Sequence, residues 1–169
     1  MNPDDRLRLD YDQTSGALRD LVEIRFKLLA FVPTIAGAAV AFFGHPRPAA
    51  ELIALGALGL AATLGVLLYE LRNSQLFEAF LARAASLESE LGFPGGGPVG
   101  TRPRVTDRLL GLPVSQQVGL GLVYGTAFAG WVYLVAWGIF EGTNRADPQT
   151  WGAGVGALAG LLVAIRLAR

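Results

Sequence analysis

Hydrophobic positions along the chain fall into four uninterrupted runs, Leu28 to Gly44, Leu52 to Tyr69, Val118 to Phe140 and Trp151 to Ile165. No Asp, Glu, Lys or Arg breaks any of them. A helix needs roughly 20 apolar residues to cross about 30 Å of hydrocarbon, and flanking residues extend each run to that length. The pattern therefore predicts an all-α membrane protein with four transmembrane helices. The connections His45–Pro48 and Glu141–Pro148 are short, so the spans pair as two antiparallel hairpins.

Two of the spans run on into polar sequence without a breaker. Thr14 or Ser15 can cap a helix that continues through Lys27 into the first span, giving one helix over 14–44 preceded by a disordered leader, 1–13. Pro33 lies inside that helix. Its ring frees the Leu29 carbonyl, which Thr34 can partly re-satisfy, and it is either a tolerated membrane proline or a gating hinge. The second span continues over 51–91, where Gly92 and Pro94 stop it. In its polar half Phe77, Phe80, Ala84, Leu87 and Leu91 recur at intervals of three and four, a heptad seam that must meet a partner. The same spacing extended backwards reaches Asn73 and Glu70. These either control register and pair with Arg25, Lys27 or Arg72, or line a vestibule that couples signals to the spans.

Residues 92–105, GFPGGGPVGTRPR and the residue after it, read as a flexible Gly/Pro linker. A short interfacial helix over 106–112 comes next, then the third and fourth spans at 116–140 and 149–168. Arg102, Arg104 and Arg108 make this stretch basic, either as an anchor beside anionic lipid or as an anion contact. The glycines lack the Lys and Ser/Thr of a phosphate-binding loop. Gly121, Gly125 and Ala129 in the third span, and Gly152, Gly156, Gly160 and Ala164 in the fourth, recur every four residues. Such stripes let helix backbones approach closely. Ala57, Ala61 and Gly65 offer another such face, and this surplus favours a homo-oligomer.

Composition sharpens the picture. The chain has 169 residues, 52% hydrophobic and 17% charged, with fourteen Lys+Arg against fourteen Asp+Glu. Sorted by position, twelve cations flank the spans on the side of both termini and the central segment, and only Arg47 and Arg145 lie in the hairpin loops. Cations resist translocation, so both termini are expected in the cytoplasm, with Trp137, Phe140 and Trp151 in an outer aromatic belt. Zero cysteine and a lone His45 exclude thiol chemistry and leave no metal site or catalytic triad. No span offers paired carboxylates or a mid-depth ionisable group, which argues against an enzyme and against proton-coupled transport. No cofactor is expected.

The segment Glu23-Ile24-Arg25-Phe26-Lys27-Leu28-Leu29-Ala30-Phe31-Val32-Pro33-Thr34-Ile35-Ala36-Gly37, with Tyr69-Glu70-Leu71-Arg72-Asn73, resembles a group of bacterial four-span membrane proteins. Their architecture is similar to the channel-like membrane effector of the Hailong antiphage defence system. The resemblance implies an inner-membrane oligomer whose opening depolarises the membrane, answering a nucleotide or oligodeoxyadenylate signal from a partner nucleotidyltransferase. Arg25, Lys27, Arg72, Arg102, Arg104 and Arg108 are then the candidates for an anionic signal, Pro33, Glu70 and Asn73 for gating or register, and Gly152, Gly156 and Gly160 for packing the pore domain. The rival expectation is a membrane anchor that recruits a soluble partner through the helix 70–91, with Phe77, Phe80, Leu87 and Leu91 as its working residues.

Overall fold

The computed structural model describes residues 2–41, 47–101, 108–109, 112–113 and 116–168; for 29, 31–33, 35–41, 95, 108–109, 112–113 and 116 it describes the backbone alone. The fold is all-helical: α1 (Pro3–Ala41), α2 (Ala49–Glu90), a 3-10 turn at Pro94–Gly96, α3 (Gly97–Gly100), α4 (Gln116–Gly142) and α5 (Pro148–Leu167). A two-residue antiparallel ladder pairs β1 (Arg108–Leu109) with β2 (Leu112–Pro113) where the sequence predicted a helix over 106–112. The rest of that predicted helix lies outside the described residues. The chain divides into two compact units, Met1–Leu28 with Leu68–Arg104, and Leu29–Leu67 with Val105–Arg169.

In the first unit the leader expected to be disordered is helical from Pro3. The Asn2 carbonyl accepts from the Asp5 and Arg6 amides, Pro3 occupies the first helical position, where no donor is missed, and Asp4 and Asp5 face the positive end of the helix dipole. Thr14 is not a cap but a buried residue in mid-helix. It belongs to a seam of Leu7, Tyr11, Thr14, Leu18, Leu21, Arg25 and Leu28, all buried or half-buried and spaced three and four apart. On α2 the matching seam runs Glu70, Asn73, Phe77, Phe80, Ala84, Leu87 and Leu91. Bonds from Arg25 to Glu70, Asn73 to Leu21, Arg83 to Asp10 and Tyr11 to Glu88 fix the two segments antiparallel.

The end of α2 is a Schellman motif. Gly92 at φ 69° takes the left-handed conformation that a side chain would resist. Its amide donates to the Ser89 carbonyl and that of Phe93 to the Glu88 carbonyl. Over 93–101 the chain is not a free linker: it makes the 3-10 turn and α3, and the Val99 and Gly100 amides of α3 bond to Glu88 on the helix it has just left.

In the second unit α4 and α5 pack along their small-residue stripes. A Cβ built on Gly121 would stand 2.8 Å from the Ala164 carbonyl oxygen, one on Gly125 2.8 Å from that of Gly160, and one on Gly156 2.6 Å from that of Ala129. The partner of each stripe is therefore in the same chain. α2 meets α4 through Leu52, Trp131 and Leu134 and through Leu67, Tyr124 and Ala127. The Trp131 indole lies over Gly59 and its Nε1 donates to the buried Thr63 hydroxyl at 2.8 Å. α2, α4 and α5 are long and apolar enough to cross a membrane. The remaining run, Leu28 to Gly44, ends outside the described residues.

Candidate functional site

Two buried polar clusters stand out, both in the first unit. At the first, Arg25 donates through Nε to Glu70 Oε1 at 2.5 Å and through Nη2 to the Ser74 hydroxyl. The side chains of Arg25 and Glu70 are 12% and 1% exposed, so this pair is nearly shut off from water. The guanidinium also lies over the Phe77 ring, 5.4 Å from its centroid, where the ring face attracts a cation. Asn73, buried one turn along, donates to the Leu21 carbonyl. Glu70 Oε2 is buried without a hydrogen-bond partner. Removing a charge pair from water costs several kcal/mol per ion, and an imperfectly satisfied pair recovers it only in part. The cluster specifies how the helices meet more than it stabilises their meeting.

The second cluster centres on Glu88, a residue that sequence reasoning passed over. Its side chain is fully buried, accepting from the amides of Val99 and Gly100 and from the Tyr11 hydroxyl at 3.0 Å. Burial by itself raises the carboxyl pKa, but the two amides and the phenol prefer the anion and bring it below its ordinary value. Burial, with the hydrogen bond and charge of Glu88, pushes Tyr11 the other way. The approach needs glycine: a Cβ on Gly97 would sit 2.5 Å from Glu88 Oε2, and its φ is 74°. Tyr11 also stacks on Phe93, ring centroids 5.6 Å apart. One carboxylate thus joins the start of α1, the end of α2 and the glycine-rich segment. The available signal was an acid adjoining a seam residue just ahead of a glycine run.

The residues singled out from the sequence are dispersed. Of the basic set, Arg25 is held by Glu70 and Ser74, Lys27 is exposed and bridges to Glu23, and Arg72 is exposed and donates to Gln75. Arg102 and Arg104 lie outside the described residues, and Arg108 is described only as backbone of β1. No anion cradle joins these cations among the described residues. Pro33 is described only by its backbone within α1, and Thr34 donates to the Ala30 carbonyl, one residue past the one expected. Glu70 and Asn73 are brought together with Arg25. Phe77, Phe80, Leu87 and Leu91 lie on the face that α1 covers, while Gly121, Gly125, Gly152, Gly156 and Gly160 lie between α4 and α5.

Fold and clusters together define an all-helical chain with three helices fit to cross a bilayer and a helical hairpin pinned by buried ionic groups. No protein family, curated protein or solved structure matches the chain.

Proposed function

We propose that the protein is a non-enzymatic, four-span integral protein of a bacterial inner membrane that assembles into a homo-oligomer and acts as a gated ion-conducting effector. Its termini and the hairpin of α1 and α2 are assigned to the cytoplasm by the distribution of Lys and Arg. The observation that carries the assembly is the outward face of α2. Ala54, Ala57, Ala61 and Gly65 are exposed, and nothing lies within 4 Å of a Cβ at Gly65. The stripes Gly121 and Gly125 of α4 and Gly152, Gly156 and Gly160 of α5 are taken up inside the chain, as are Gly56 and Gly59 of α2, whereas Ala54, Ala57, Ala61 and Gly65 are not, and in lipid such faces favour helix association. The interior between α2 and α4 is filled by Leu52, Tyr124, Trp131 and Leu134. An ion path would then run between copies rather than through one.

The role in antiphage defence, the nucleotide-type signal and the partner nucleotidyltransferase rest on the resemblance of the Arg25 and Glu70 segments. In this reading the Arg25–Glu70 cluster fixes the register of α1 and α2 at the base of the hairpin. The anchor reading has less support, because the side chains it relies on face α1 of the same chain. Mass measurement in nanodiscs and ion flux from liposomes, with nucleotides varied, test the proposal. Wild type should be oligomeric and conduct in at least one nucleotide condition, and Ala61→Leu and Gly65→Leu should lower both properties. A monomer that leaves liposomes sealed in every condition would overturn it.

A further inference from the structure

Exposed large apolar side chains on the hairpin gather mostly at one end, with Leu9 and Phe93 exposed at the other. Phe26 is 69% exposed and Tyr69 53%, and Val22, Leu71 and Leu76 are exposed as well. The bond from Arg25 to Glu70 sets the antiparallel register, which puts Phe26 and Tyr69 at the same level, one residue nearer the apolar runs. Exposed Lys27 and Arg72 flank them. From Tyr69 to Leu76 the helix rises about 10 Å. Farther along α2, over 77–90, no large hydrophobic residue is exposed among the described residues.

An aromatic ring pair at one depth, long cations beside it and an apolar surface that fades over about 10 Å match the headgroup layer of a bilayer. There aromatic rings settle, and Lys and Arg reach outward from buried stems. In water this collar would be a liability; in hydrocarbon its charges would be.

We propose that the base of the hairpin, from Phe26 and Tyr69 out to Val22 and Leu76, is embedded in the lipid headgroup layer, so that the Arg25–Glu70 pair sits at phosphate depth rather than in water. The proposal rests on the membrane-spanning reading. Lipid is chosen over a second copy because the collar adjoins the apolar stretch of α2, involves both helices at one level and, along α2, ends about 10 Å from Tyr69, the depth of a headgroup layer.

The chain has no cysteine, so single spin labels can be placed without background. Labels at Leu58→Cys, Phe26→Cys, Tyr69→Cys, Leu76→Cys and Ala82→Cys would be read in nanodiscs of phosphatidylethanolamine and phosphatidylglycerol, by their accessibility to oxygen and to a water-soluble nickel chelate. All five positions are exposed, so labelling should leave packing intact, and labels at Val22→Cys and Leu71→Cys repeat the measurement independently. The expected order of depth is Leu58 in hydrocarbon, Phe26 and Tyr69 together at the interface, Leu76 at the outer headgroups and Ala82 in water. Phe26 and Tyr69 labels as open to nickel as Ala82, with Leu58 still deep, would overturn the collar while sparing the membrane reading. Labels closed to both reagents would place another protein copy there and overturn it too. An aqueous Leu58 would remove the membrane reading itself.

Discussion

Arg25 and Glu70 behave as a unit, and their variants should show it. Arg25→Ala leaves a carboxylate buried without its cation, a loss of about 3–5 kcal/mol, whereas the double change Arg25→Met with Glu70→Leu should fold nearly as well as wild type. Denaturant unfolding in mild detergent, followed by hydrogen exchange of hairpin amides, measures both; equal losses in the single and double variants would count against the pairing. Glu88 carries a pH dependence with a definite sign. Its pKa is lower folded than its ordinary 4.5, so its contribution is full above that value and disappears as pH falls through the folded pKa. Amides of Val99 and Gly100 should lose exchange protection in acid, and Glu88→Gln should show weaker protection at neutral pH with less acid dependence. Gly97→Ala should cost at least about 1 kcal/mol, since a methyl there meets the carboxylate at a backbone angle favouring glycine.

At the scale of elements, α4 and α5 depend on near contact of their backbones. Gly160 stands so close to the Gly125 carbonyl that a Cβ would come within 2.5 Å of it. Gly156→Leu and Gly160→Leu should therefore push the helices apart and lower the thermal midpoint in detergent by several degrees or more, since overpacking costs about 1–3 kcal/mol. Gly154→Leu is the control, with open space at its Cβ. Between α2 and α4 the indole of Trp131 is the polar tie, and Trp131→Phe should cost about 1 kcal/mol in the same assay, in the range found for hydrogen bonds between membrane helices. The hairpin of α1 and α2 is a different kind of pairing. Its seam has heptad spacing but holds Thr14, Arg25, Glu70 and Asn73 among the apolar residues, and such groups restrict register at some expense of stability.

For the whole molecule, the charge distribution predicts sidedness. Single cysteines at Arg145 and at Ala82 should react with an impermeant maleimide from opposite faces of sealed vesicles; labelling of both from one face would refute the proposed topology. Much of the architecture was legible because its causes are local: apolar run length, the helical continuity of α2, its stop at Gly92, and the four-residue glycine stripes all belong to neighbouring positions. The backward extension of the α2 seam also located Glu70 and Asn73, since helical period alone puts them on the buried face. The start of α1 was present in Asn2-Pro3-Asp4-Asp5, but Thr14 and Ser15 gave a competing signal. Only packing against α2 distinguishes a buried threonine from a cap. Glu88 was hidden for a related reason: a glycine-rich segment reads as free chain until a distant carboxylate supplies acceptors for its amides. Sequence by itself thus determined which stretches are helical and apolar, because those properties depend on residues within a turn or two. Tertiary structure decided which helix each face meets, because the seams and stripes specify close packing without naming a partner. It alone turned the stripes of α4 and α5 into a pairing of those two helices, and the start of the expected linker into a cradle for Glu88.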